Sequence, residues 1–114
     1  MSDVPELIRR DAALLARRRS ARSTRFSRDI PCEWRPMTVI NLEDGSPFTQ
    51  EAAWEFVAEK LEDPAQTAHW VELRRPPGKR AIEMVISYGD RKIYVKVQLG
   101  SGTIHGRSFH YSTC

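Results

Sequence analysis

The residues best equipped for chemistry lie in the last quarter of the chain. Tyr94, Lys96 and Gln98 alternate along one segment; His105, Arg107, Ser108 and His110 follow a Gly100-Ser101-Gly102 turn. Such a set can hold a phosphodiester and move protons without a metal. RNA carries its own nucleophile, the 2′-OH. A base must take that proton, an acid must protonate the leaving 5′-oxygen, and cations must stabilise the phosphorane between them. Imidazole suits either proton role near neutral pH. Lys96 and Arg107 bring positive charge, and Tyr94 can orient phosphate or donate a proton. Tyr94, Lys96, Arg107 and His110 are the candidate catalytic residues; His105, Gln98, Ser108 and Lys92 are the candidate RNA contacts beside them. No carboxylate cluster that would hold Mg²⁺ accompanies them in the sequence. His69, His105 and His110 have no ligand-like spacing with Cys32 or Cys114, so zinc is not expected either. No cofactor is implied.

Two strands must position this set, Lys92–Leu99 and Thr103–Tyr111, and their register decides which side chains meet. A three-residue hairpin loop puts Tyr94 opposite Ser108, Lys96 opposite Gly106 and Lys92 opposite His110. Gly106 would then leave space over the sheet for a ligand. A two-residue loop would instead bring His105, Arg107 and Phe109 round to Tyr94 and Lys96, and a bulge near Gly106 would draw on both sets. The first register is favoured because Phe109 reads as core beside Ile93. It points His105 and Arg107 toward the apolar face. The same alternation of Lys, Tyr and Gln is also what any half-exposed antiparallel sheet shows.

Further elements follow from pattern. Asp3-Val4-Pro5-Glu6 reads as a helix start, with Val4, Leu7, Ile8, Ala12 and Leu15 on one face. The pattern fades into an Arg-rich stretch, 17–25, and Pro31 and Pro36 bracket an extended linker with Trp34 as its anchor. Thr38–Ile40 reads as a short strand or extended entry, and 41–47 as a turn. Thr49 caps a second helix over 50–62, with Ala53, Phe56, Val57 and Leu61 inward, Phe48 stapling its first turn and Pro64 ending it. Trp54 is read as core. From His69 the period becomes two: strands over 69–73 and 81–88, a loop at 74–79, then the hairpin. The expected fold is α+β, two or three helices packed on a three- to four-stranded antiparallel sheet.

At 114 residues the chain has room for one hydrophobic core. Its organisation reads as an Arg-rich N-terminal helix and arm, 1–36, ahead of an α+β domain, 37–114. No apolar run reaches membrane-spanning length, and the N-terminus lacks an apolar signal core, so a cytoplasmic protein with reduced thiols and no membrane partner is expected. The net charge of +3 is uneven: residues 1–35 hold nine Arg against five acids, and 36–114 hold nine Lys/Arg against ten. Arg17, Arg18 and Arg19 are therefore further candidate RNA contacts. The competing reading is a non-catalytic regulator that binds nucleic acid or protein through this arm, or a subunit that binds protein through the Trp54 helix.

Ile93-Tyr94-Val95-Lys96 and Ser108-Phe109-His110 resemble two short signatures of the MqsR family of mRNA-cleaving toxins. The likeness covers residues 80–112, and residues 48–79 only in the order of helix and sheet. It implies a RelE-like toxin fold, metal-independent endoribonuclease (mRNA interferase) activity, and a cognate antitoxin. The Arg-rich arm is a candidate contact for RNA, the ribosome or the antitoxin, a choice the resemblance does not make. The family's catalytic Tyr falls on Tyr94, its motif lysine on Lys96, and its closing basic residue on His110. Gly106-Arg107 before Ser108 departs from the pattern and leaves Arg107 to take over a phosphate-binding role.

Overall fold

In the computed structural model the structure describes residues 3–24, 32–74 and 78–112. The readings placed on Pro31, on the middle of the 74–79 loop and on Cys114 lie outside them.

The second helix runs Gln50–Glu62 as the sequence predicts, and Thr49 Oγ1 accepts from Ala52 N at 3.0 Å to cap it. It is labelled α2; α1 is Glu6–Arg17. The strands are β1 (Arg22–Ser23), β2 (Glu33–Trp34), β3 (His69–Glu72), β4 (Arg80–Tyr88), β5 (Arg91–Gly100) and β6 (Thr103–Tyr111). Single 3₁₀ turns at Arg19–Ala21 and Pro36–Thr38 join them. The second ends at Thr38; Val39 is extended and Ile40 bridges Pro47, in keeping with an extended entry after Thr38.

The architecture is α+β. β3 to β6 form the expected antiparallel meander, but the sheet is larger and mixed. β1 and β2 both pair in parallel with β6, giving six strands among the described residues. Each of these added strands is two residues long, too short for a period of two to register. Ile82, Met84, Ile86, Ile93, Val95, Val97, Ile104 and Phe109 point to one face and join the helices in a single core.

The N-terminal segment shares that core. Ala12, Ala13 and Ala16 of α1 are fully buried, whereas Leu7 and Leu14 face outward at 71% and 62% exposure. Of the inward face expected from Val4, Leu7, Ile8, Ala12 and Leu15, Val4 and Ala12 are buried and Ile8 and Leu15 pack against the core; Leu7 alone of the five turns out, while Ala13 and Ala16 join the buried stripe where α1 packs on α2. Asp3 does not cap α1. Pro5 occupies that position, and Asp3 bridges to His69. Arg9 fills the equivalent need at the far end of α2, donating to the carbonyls of Leu61, Lys60 and Asp63 at 2.8, 3.0 and 2.9 Å.

Trp34 is the expected anchor. Its ring stacks on Trp54 with centroids 4.4 Å apart and tilts against Phe109 at 5.4 Å. Trp54 is 2% exposed, in the core as read from the sequence.

Candidate active site

The β5–β6 hairpin differs from the favoured register. Gly100 pairs with Thr103, so the loop is two residues, with Gly102 at φ 69°. Gln98 then opposes His105, and Val97 opposes Gly106. Here the ladder slips by one: Lys96 opposes Ser108, Val95 opposes Phe109, and Tyr94 opposes His110. Arg107 is the extra residue of a β-bulge. The expected pairings of Tyr94 with Ser108, Lys96 with Gly106 and Lys92 with His110 are replaced. Gly106 leaves no space for a ligand. It faces the core, and a Cβ there would lie 2.5 Å from Trp34 Cε3.

The bulge reconciles both expected sets. Directly opposed residues share a face, so Tyr94, Lys96 and Gln98 lie on the outward side with His110, Ser108 and His105. Arg107 joins them, donating from Nη1 to Gln98 Oε1 at 2.8 Å. Lys92 is on this face too, exposed, opposite Ser87 and next to Ser112, whose N–H donates to the Lys92 carbonyl. The helices occupy the other side of the sheet.

Tyr94 and His110 are neighbours, ring centroids 5.5 Å apart. Tyr94 Oη donates to Glu83 Oε2 at 2.7 Å. Burial first, then the Glu83 bond and charge, push the Tyr94 hydroxyl well above its ordinary pKa. It is therefore a neutral hydrogen-bond donor to Glu83 at neutral pH. His110 Nδ1 lies 2.8 Å from the Tyr111 carbonyl, an acceptor to which it donates, and Nε2 lies 3.9 Å from Glu33 Oε2. Lys96 sits opposite Glu83 as well as Ser108. Burial, and then the nearby Arg107 charge, lower the Lys96 pKa, partly offset by Glu33 and Glu83. Arg107 is 3% exposed, and burial lowers its pKa. Its guanidinium is turned to Gln98 rather than to the surface. His105 Nδ1 is 3.1 Å from Ser23 Oγ on β1. Ser108 is 4% exposed and cannot be a broad contact surface.

The hairpin pattern did not reveal Glu83, Glu33 or His69. One cross-strand row runs His69, Glu83, Lys96, Ser108, Glu33 over β3, β4, β5, β6 and β2. The signal for Glu83 was present: it is a lone acid inside the apolar run Ala81–Ile86, on the opposite parity from Ile82 and Met84. Glu33 gave no such signal, because a two-residue strand has no parity to read. Among the described residues no three His, Cys, Asp or Glu side chains converge as a metal-binding group.

The Arg-rich segment is engaged elsewhere. Arg17 pairs with Glu55 and Glu62 at 3.0 and 2.7 Å, and Arg22 with Glu51 at 2.8 Å. Arg19 reaches Glu51 at 3.4 Å while 85% of its side chain is exposed. Arg18 terminates α1 and is exposed. Arg17 is thus bound to α2 rather than presented to RNA, and none of Arg17, Arg18 and Arg19 is brought to the β5–β6 face. Two cavities, of about 720 and 420 Å³, also lie away from it: one between the start of α1 and the end of α2, the other over Phe48, Phe56 and Tyr88.

No family model, no curated protein and no solved structure matches this chain. No helix among the described residues is long and apolar enough to cross a membrane.

Proposed function

We propose that this protein is a metal-independent endoribonuclease, an mRNA-interferase toxin of RelE-like fold that cleaves RNA by 2′-OH attack. The observation that carries the reading is the Tyr94–His110 pair, flanked by Glu83 and Glu33 and set beside Lys96. In this scheme Glu83, oriented by Tyr94, takes the 2′-OH proton. His110 in its charged form gives the Nε2 proton to the leaving 5′-oxygen, and the cyclic 2′,3′-phosphate remains on the upstream product. Lys96 neutralises the phosphorane, with the field of Arg107 beneath it. Two carboxylates and an imidazole on one polar sheet face also fit this chemistry better than they fit an inert surface. The setting that goes with the activity is the cytoplasm, with a cognate antitoxin protein and the ribosome as partners.

The test is cleavage of a single-stranded RNA in EDTA, with end-group analysis. Wild type should give a 2′,3′-cyclic phosphate. A single 2′-deoxy substitution at the cleaved position should block it. His110→Gln should lower the rate roughly 100- to 10,000-fold with the fold intact, because its side chain is on the open face. Intact RNA after prolonged incubation, or a His110→Gln variant as active as wild type, refutes the proposal.

A further inference from the structure

We infer that the outward face of β5 and β6 is a track for single-stranded RNA, with Val85, Tyr94 and His110 as the platform for one unstacked base. The choice of ligand rests on the ribonuclease reading above.

Three observations point the same way. The first is charge. The outward side chains of β5 are Lys92, Tyr94, Lys96 and Gln98, and those of β6 are likewise free of acid. The carboxylates stand on the flanking strands, Glu83 on β4 and Glu33 on β2. Arg107 and Ser108 are buried, so the accessible part of these two strands, Lys92, Tyr94, Lys96 and His110, makes a lane without negative charge of its own, suited to a phosphate backbone.

The second is an apolar side chain in an unexpected place. Val85 is 43% exposed, while Met84 and Ile86 beside it are at most 1% exposed. It is the cross-strand partner of Tyr94, which in turn partners His110, and the two rings lie within 33° of each other. Val85, Tyr94 and His110 thus form one row across three strands, about 10 Å wide from two strand spacings. That is an aromatic and apolar row of the width of a base, its two rings tilted 33° from one another. A base can lie on it only if its own face is free, which selects unpaired RNA over a duplex.

The third is spacing. Lys92 and Lys96 are each two residues from Tyr94 along β5, on the same face, or about 7 Å to either side. Phosphates before and after the stacked base each meet a cation, and the long lysine stems take up the difference in reach.

The experiment uses the full chain and a 2′-O-methyl oligonucleotide, which lacks the nucleophile and stays intact. Affinity is read by fluorescence anisotropy, with a single abasic site moved through the sequence. One abasic position should weaken wild-type binding about 5- to 150-fold, the range for loss of one base stack. Val85→Ser should weaken the intact oligonucleotide about four- to tenfold, from losing half of a buried Val face. In that variant the abasic penalty should shrink. Val85→Thr, of the same shape, checks that the fold is kept. Equal abasic penalties in wild type and Val85→Ser, or equal affinity for a duplex of the same sequence, overturn the track. Cleavage is scored separately on all-ribose RNA. Cleavage with binding indifferent to Val85 sinks the platform and leaves the nuclease; platform-dependent binding without cleavage does the reverse.

Discussion

Gly106→Ala tests the geometry on which the site depends. The added methyl carbon would lie 2.5, 2.7 and 2.9 Å from Cε3, Cδ2 and Cζ3 of Trp34, about 1 Å inside ordinary carbon contact. Gly106 does not occupy the left-handed region, so the backbone itself accepts alanine. The whole cost is steric. The indole cannot slide away. It is stacked on Trp54 at 4.4 Å, leans on Phe109, and donates from Nε1 to Gln50 Oε1 at 2.9 Å. Overpacking of this kind costs about 1–3 kcal/mol. Against it stands the smaller unfolded-state entropy of alanine, roughly 0.5 kcal/mol in favour of folding.

The net expectation is a loss of about 2 kcal/mol, or a melting temperature lower by roughly 8–10 °C for a domain of this size. Calorimetry or a urea titration followed by tryptophan fluorescence reads it. A double-mutant cycle isolates the cause. In a Trp34→Leu background, which removes the three crowded atoms, Gly106→Ala should become neutral or mildly stabilising. A melting temperature within about 2 °C of wild type for the single variant would refute the reasoning. So would a full penalty that persists without the indole.

Other perturbations follow from the same contacts. Arg9→Ala should cost roughly 1–2 kcal/mol in urea unfolding, since it strips three hydrogen bonds from the end of α2, and Arg9→Lys should recover less than half because an ammonium cannot fork across three carbonyls. Lys96→Met should raise the melting temperature, because burial disfavours the ammonium in the folded state, and should lower RNA cleavage roughly 100- to 1,000-fold. For Tyr94 the folded state holds a proton that the unfolded chain releases from about pH 10 upward, so stability is present below that pH and falls as it rises. Chemical unfolding between neutral and alkaline pH should show a shallower decline in Tyr94→Phe; parallel curves would remove Tyr94 as the source.

The long elements were legible because their periods are long enough to count. α2 and the four meander strands match the expected spans to within a residue or two, and Trp34 and Trp54 sit in the core as read. What was not legible was set by tertiary contact. The inward face of α1 takes in Ala13 and Ala16 beside the expected Val4, Ile8, Ala12 and Leu15 and leaves Leu7 outside, because packing against α2 sets the rotation of the helix. The arginines of 17–22 read as a nucleic-acid arm, yet Arg17 and Arg22 answer carboxylates on α2 that are 29 or more positions away in sequence. β1 and β2 add to the sheet through two residues each. No local pattern encodes such pairings.

The hairpin shows why one inserted residue matters to the chemistry. His105 and His110 are five positions apart, so in a regular strand they would face opposite sides of the sheet. A pure two-residue-loop register keeps His105 with Gln98 but turns His110 into the core; a pure three-residue register does the opposite. The slip between Lys96 and Val97 is what puts both imidazoles on the side of the sheet away from the helices and leaves Phe109 inside. It also accounts for Gly106 and Arg107. Gly106 is the small residue that lets Trp34 close over the inner side of the bulge, and Arg107 is the one inserted, its guanidinium folded under the outer side against Gln98. Gly106-Arg107 is thus the local device that gathers Tyr94, Lys96 and both histidines on one surface, and the parity of the whole site depends on it.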